Sequence, residues 1–358
     1  MNLKEQKRKR WLSQCGLHKI GRIKSIVPVF CASILCLLPL CSVFISVLCS
    51  CGGFKENSSS AKAEGFPYVK VPSFITEKEE IAKYMAKNYW NRYFTEGAKD
   101  TSLYFMDTEL FVKAYADYTA ILNAVVYKNY NIVESSQKRL FAMADSLYLS
   151  GYKLPLMRLL SLSEKYLYDP NSPYLNEEAY ISALESVMSL KSFDSLGKIS
   201  YRWQLDMALL NRVGQKANDF DFVYFNGNNS LANGSLYEIN AEYTLVYFNN
   251  PDCNSCKEQL ELLLLNKHLN YLSETGRLKV LSIYIDEQTE LWEKHFNDVP
   301  LTWIYAKDAS LVLRNNELYG IRAIPSMYLL DRDKRVILKD ASAPKVLEYI
   351  ERIASGGK

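Results

Sequence analysis

Beyond Cys51 this 358-residue chain has very little of what most catalytic or metal-binding sites require: two cysteines, Cys253 and Cys256, and two histidines, His268 and His295. A structural zinc site takes about four nitrogen or sulfur ligands. With no second C-x-x-C to complete such a set, no metal is expected. Two cysteines three apart are likewise not a disulfide scaffold. There is no phosphate-binding loop, no glycine-rich dinucleotide fingerprint and no hydrolase nucleophile elbow, so no nucleotide or other cofactor is implied. The two histidines read as helix-surface residues, and Trp292 and Trp303 as packing residues. A net basic charge is also missing from the body. Residues 1–50 hold eight Lys/Arg against one acid, so their +7 exceeds the whole-chain +3 and the remainder carries −4. That balance gives no reason to expect a nucleic acid partner. A hydrophobic content of 48% with 23% charged residues excludes a disordered chain. The 26 tyrosines read as half-buried rings on packed helices rather than as a stacking platform for sugars or bases.

The basic residues of the first 24 positions precede an uncharged run from Ile26 to Cys49, the order of an export signal. At 24 residues the run is also long enough to span a bilayer, with its positive side in the cytoplasm. Leu48-Cys49-Ser50-Cys51-Gly52-Gly53 resembles a bacterial lipobox, in which Leu stands three before the lipidated cysteine and a small residue just before it; Cys51 fits. The Cys-Gly-Gly start and the polar stretch Lys55-Glu56-Asn57-Ser58-Ser59-Ser60 resemble lipoproteins of the Bacteroidetes. Residues 1–50 are therefore read as a lipoprotein signal peptide or a signal anchor, with 51–65 as a flexible tether. The implied location is the cell envelope, membrane-anchored and facing the periplasm, with exposure on the outer surface as a variant.

Residues 66–215 carry helical periodicity. Ile81, Tyr84, Met85, Asn88 and Tyr89 mark one stripe, behind a capping box of Thr76 and Glu79. Phe111, Tyr115, Tyr118, Leu122 and Val125 mark a second. Leu140, Met143, Ala144 and Leu147 mark a third, ended near Gly151. Further helices are expected over Leu156–Tyr168, Glu177–Leu190 and Ser192–Arg212. No strict repeat period is visible. Tyr89-Trp90, the run Glu164 to Pro173 and the run Asn211 to Phe220 resemble a helical domain of unknown function that precedes thioredoxin-like domains in Bacteroidetes lipoproteins.

From residue 216 the period changes. Strands are expected at Phe222–Phe225, Tyr243–Phe248, Lys279–Ile285, Leu301–Tyr305, Ser326–Leu330 and Arg335–Leu338. Helices are expected at Lys257–Leu272, Gln288–His295, Ala309–Leu318 and Pro344–Ile353. This is an α/β order with a mixed central sheet. Cys253-Asn254-Ser255-Cys256 falls at the junction between the strand Tyr243–Phe248 and the helix after it. A helix N-terminus offers unpaired N–H groups and partial positive charge, which favour a thiolate on the first cysteine.

Three segments resemble the TlpA/ResA branch of the thioredoxin superfamily: Ala217 to Phe220, Tyr247 to Cys256, and Tyr319-Gly320-Ile321 through Asp331. The resemblance spans 217–358. It implies a membrane-tethered, periplasm-facing thiol–disulfide oxidoreductase, with Pro325 as a cis-proline facing the dithiol; the other reading of Pro325 is an ordinary trans proline opening a strand. This chain departs from the family in places that bear on proton transfer. Asp252 precedes the first cysteine where many members have Trp. Asn254-Ser255 replaces Gly-Pro between the cysteines. Gln259 stands where many members carry a glutamate, and Tyr247 where ordinary thioredoxins bury an acid. Cys256 is thus left without an obvious base.

The implied chemistry has Cys253 as nucleophile, Cys256 as the resolving cysteine, and Pro325 offering a backbone edge to the client. Its partners are client proteins with thiols or disulfides, a redox recycling partner, and the membrane. The alternative is a non-catalytic binding lipoprotein whose helical domain recognises a protein or glycan.

Overall fold

The computed structural model describes residues 65–226, 230–315 and 318–356. The expectations for the leader, for Cys51 and for the tether up to residue 64 lie outside these residues. Among the described residues no helix is long and apolar enough to cross a membrane.

The first half is helical: α1 (Lys78–Asn88), α2 (Asn91–Gly97), α3 (Thr108–Val125), α4 (Tyr130–Leu149), α5 (Leu154–Ser163), a one-turn π-helix (Glu164–Tyr168), α6 (Glu177–Met188) and α7 (Ile199–Leu209). All five residues of the α3 stripe are buried. The expected capping box does not form. The helix begins one residue later, with Glu77 as N-cap and no side-chain cap, and Glu79 instead pairs with Lys83 at 3.0 Å. The tyrosines also sit deeper than expected: Tyr89, Tyr93, Tyr115, Tyr118 and Tyr180 are no more than 2% exposed. Internal partners allow this for some of the phenols. The Tyr115 hydroxyl lies 2.7 Å from Ser163 Oγ, and Tyr180 donates to Gln204 Oε1 at 2.8 Å.

Packing around these rings is tight at one glycine. A Cβ on Gly97 would lie 2.2 Å from Tyr104 Cε1, and Tyr104 is itself buried. Gly97→Ala is therefore expected to destabilise the protein by about 1–3 kcal/mol, the usual range for overpacking; a loss under about 0.5 kcal/mol in urea unfolding would show that the Tyr104 ring moves aside freely.

The second half is a seven-stranded sheet with helices on its faces. The strands are β1 (Asp221–Phe225), β2 (Leu231–Ser235), β3 (Tyr243–Asn249), β4 (Leu278–Tyr284), β5 (Ile304–Lys307), β6 (Ser326–Asp331) and β7 (Val336–Ala341). Their spatial order is β2-β1-β5-β4-β3-β6-β7, with β3, β4 and β5 parallel and the other pairings antiparallel. This is the mixed sheet expected from the sequence. Side chains of β3 alternate between the two faces. Leu245 and Tyr247 pack with α8 (Asn254–Leu265), α9 (Lys267–Glu274) and α12 (Ala343–Ala354), through Leu263, Leu269, Leu272, Val346 and Ile350. Val246 and Phe248 face the other way, onto Phe220, Leu313, Tyr319 and Tyr328.

Four elements differ from expectation. The helix Lys257–Leu272 is two helices, broken at Asn266, whose side chain accepts from the N–H groups of His268 and Leu269 and so starts α9 afresh. Strand β2 was not expected, because Leu231-Ala-Asn-Gly-Ser235 has no β-branched residue and lies at the sheet edge. The fourth expected strand shifts to Ile304–Lys307, with Leu301 92% exposed outside it. Of the helix expected over 309–318, the described residues hold α11 (Val312–Asn315), whose first N–H groups are held by the Asp308 carboxylate. Between these last elements and the first helix of the sheet half lies α10 (Thr289–Lys294).

Candidate active site

The site is built at the end of β3, a buried strand paired on both sides. Leaving it, the chain turns through Asn250-Pro251-Asp252, and Asn250 organises that turn. Its carbonyl accepts from the Cys253 N–H at 3.0 Å, its Oδ1 accepts from the Asp252 N–H at 2.8 Å, and its Nδ2 donates to Asp286 Oδ2 at 2.6 Å. The turn delivers Cys253 to the N-cap of α8, where its sulfur accepts from the Cys256 N–H at 3.3 Å. A thiol in that position satisfies one of the helix's unpaired donors.

Both cysteines are free thiols; Cys253 is half-buried and Cys256 is 2% exposed. Burial pushes the Cys256 thiol up to about 12, and a hydrogen bond with the Cys253 sulfur and the nearby Asp286 carboxylate act in the same direction, against a backbone hydrogen bond from Asn250. The Cys253 thiol donates to the Ile324 carbonyl at 3.8 Å, and the Ile324–Pro325 peptide is cis. Cys253, Cys256 and the backbone at Pro325 thus meet at one place.

The departures noted in the sequence take definite positions. Asp252 is exposed and turned to solvent. Gln259 Oε1 accepts from the Ala343 N–H at 2.7 Å, so it serves the start of α12 rather than the dithiol. Tyr247 donates its phenol proton to the Cys256 carbonyl at 2.7 Å, bracing the first turn of α8, and burial drives its pKa far above the ordinary value. His295 departs from its reading as a helix-surface residue, whereas His268 does lie on α9. The His295 side chain is 19% exposed and lines a cavity of about 40 Å³ together with Cys256. Asn250 and Asp286 also shape the site; the Asn-Asn-Pro-Asp turn composition before the first cysteine is the sequence signal for Asn250, and Asp286 has none. Among the described residues no group of three His, Cys, Asp or Glu side chains is placed to hold a metal ion.

An accessible thiol on a helix N-terminus beside a buried thiol is an arrangement suited to thiol–disulfide exchange. Comparison with known proteins agrees in fold. Residues 51–211 match the model of a domain of unknown function, DUF5106. The chain is similar to a thioredoxin-like protein of known structure from Bacteroides caccae, at 33% identity and a TM-score of 0.72, covering 80% of this chain and 98% of that one. It is also similar to nucleoredoxin from Danio rerio, 26% identical over 102 residues, covering 28% of this chain and 24% of that protein. Human nucleoredoxin matches at 26% over 115 residues, 32% of this chain and 25% of that protein. The chain spans about a quarter of the length of the nucleoredoxins it matches. By its likeness to the Bacteroides caccae protein, this chain belongs to the thioredoxin-like proteins.

Proposed function

We propose that this thioredoxin-like protein is a thiol–disulfide oxidoreductase that acts on protein disulfides through Cys253 and Cys256, tethered to the cell-envelope membrane and facing the periplasm. The observation that carries the reading is the asymmetry of the pair: Cys253 half-exposed at the N-cap of α8, Cys256 buried one turn behind it. In the reducing direction the Cys253 thiolate attacks one sulfur of a client disulfide. That bond breaks, and the departing client sulfur takes up a proton. Cys256 then loses its proton and attacks the Cys253 sulfur. The second client sulfur leaves with the electron pair of the mixed disulfide, so the client gains two electrons and the protein holds a Cys253–Cys256 disulfide. A dithiol partner recycles it; the reverse sequence oxidises a client. The backbone at Ile324–Pro325, already within reach of Cys253, is the edge against which the client chain lies. Cys51 is the lipidated anchor, supported by the apolar run and lipobox pattern before it.

The test is equilibration of the reduced protein with dithiothreitol buffers, together with insulin reduction. A single two-electron transition and an accelerated precipitation of insulin B chain are expected. A wild-type protein inert at every accessible potential would leave the scaffold alternative instead.

A further inference from the structure

The cavity behind the dithiol bears on how Cys256 loses its proton. Its volume of about 40 Å³ is enough for a water molecule, which needs roughly 10–15 Å³ of such space. The titratable groups on its walls come from four places: Tyr247 of β3, Cys256 and Lys257 of α8, Tyr305 of β5, and His295 with Asp298 after α10. Most are committed elsewhere. Tyr247 donates to the Cys256 carbonyl, and Tyr305 donates to the Trp292 carbonyl at 3.0 Å. Lys257 is exposed, and an ammonium has no lone pair to offer. Asp286 lies outside the lining and is engaged by Asn250 and Arg314. His295 remains. Its Nδ1 is 2.6 Å from Asp298 Oδ2. A carboxylate only accepts, so Nδ1 carries the proton, and whenever the ring is neutral Nε2 keeps its lone pair. A short 3₁₀ turn, Phe296–Asp298, places the carboxylate three residues after the imidazole and so fixes the pair.

We propose that His295 is the proton acceptor for Cys256, acting through a water in this cavity, with Asp298 as its positioning residue. The inference rests on the redox reading above and supplies the base that Gln259 and Tyr247 do not. At the mixed-disulfide stage the Cys256 proton passes through the water to His295 Nε2. The sulfur left behind attacks Cys253. The Cys253–client bond breaks and its electron pair leaves on the client sulfur. The imidazolium then gives its proton to solvent, so no outside oxidant enters the step. The burial of Cys256 makes such help matter, because a thiol raised to about 12 rarely ionises unaided at neutral pH.

The test is stopped-flow release of thionitrobenzoate from 5,5′-dithiobis(2-nitrobenzoate) by the reduced protein. The first phase is attack by Cys253 and depends on reagent concentration. The second is resolution by Cys256 and does not. For His295→Gln the first phase is expected unchanged, and the second about 10²-fold slower at pH 7, with the deficit closing as pH rises and hydroxide replaces the imidazole. Asp298→Asn should slow the second phase less and alter the same pH profile; it decides the matter if His295→Gln fails to fold by circular dichroism. A second phase within twofold of wild type across pH in the folded variant overturns the role of His295. Absence of the second phase in wild type overturns the redox reading itself.

Discussion

Replacing Lys339 with methionine is expected to lower the free energy of unfolding by about 3–5 kcal/mol, the usual loss when one partner of a buried ion pair is removed. Lys339, on β7, is 7% exposed at its side chain. Its ammonium lies 2.5 Å from Glu177 at the start of α6, and it donates to the carbonyls of Ala208 and Leu210 at 2.7 and 2.6 Å. One side chain thus holds a first-turn acid of one helix and the C-terminal carbonyls of another against the sheet. Burial raises Glu177 and lowers Lys339, each opposed by the charge of the other. The pair as a whole is accordingly worth little compared with two apolar residues, whereas half of it is costly. Methionine fills the space of the lysine stem but takes the nearest cation from the Glu177 carboxylate and the donor from two carbonyls. Arg322, 4.0 Å from Glu177 and 2.5 Å from Asp340, offers partial relief and sets the result toward the lower end. The double variant Glu177→Leu with Lys339→Met is expected to recover at least half of the loss. Urea unfolding of the three proteins checks this; a single variant within 1 kcal/mol of wild type would show that the network is not rigidly held.

The same network reaches the dithiol. Arg322 stacks on the Tyr168 ring at 3.9 Å and donates to the Tyr168 carbonyl. It stands two residues before Ile324, whose carbonyl meets the Cys253 thiol. The helical half therefore fastens the backbone that borders the dithiol, through Tyr168 at the end of the π-turn and Glu177 at the start of α6.

Little of this coupling was legible in the sequence, and the reasons are specific. The strands of the sheet centre were, because Tyr243-Thr-Leu-Val-Tyr-Phe248 is buried on both faces and its composition states that directly. The α3 stripe was, because five apolar residues at helical spacing leave one way to bury them. The break at Asn266 was not: leucines on either side keep the helical period, and only the capping bonds of one asparagine divide the run. Glu177, Lys339 and Arg322 look like surface charges until distant segments of chain bring them together. Of the site, the dithiol was visible as a pattern of spacing, and Pro325 through the resemblance to the TlpA/ResA branch. His295 was not, because a histidine 39 residues after Cys256 acquires meaning only when the fold brings both to the walls of one cavity.

In the native reduced protein, iodoacetamide at pH 8 is expected to alkylate Cys253 alone, with Cys256 slower than an ordinary thiol by about a thousandfold. The magnitude follows from the thiolate, which is the reacting species. At pH 8 a group moved from 9.0 to about 12 has about 10³ fewer ionised molecules. The direction follows from what ionisation would require: a full charge at a sulfur 2% exposed, beside Cys253 and within the field of Asp286. The Cys256 rate should therefore climb about tenfold per pH unit between 7 and 10 without levelling, since the midpoint lies above that window. Unfolding in guanidinium removes the burial, and both cysteines should then react alike. The linkage to stability has a definite sign. A thiol raised in the folded state stays protonated while its unfolded counterpart ionises, so this group subtracts from stability as pH rises from about 9 towards about 12, and only in the reduced protein. The oxidised protein, having no thiol to ionise, lacks that contribution. Peptide mapping of the alkylated protein reads the selectivity. Labelling of Cys256 within tenfold of Cys253 in the folded state would mean that the second sulfur is open to solvent, and the proposed division of labour between attacking and resolving cysteines would lose its physical basis.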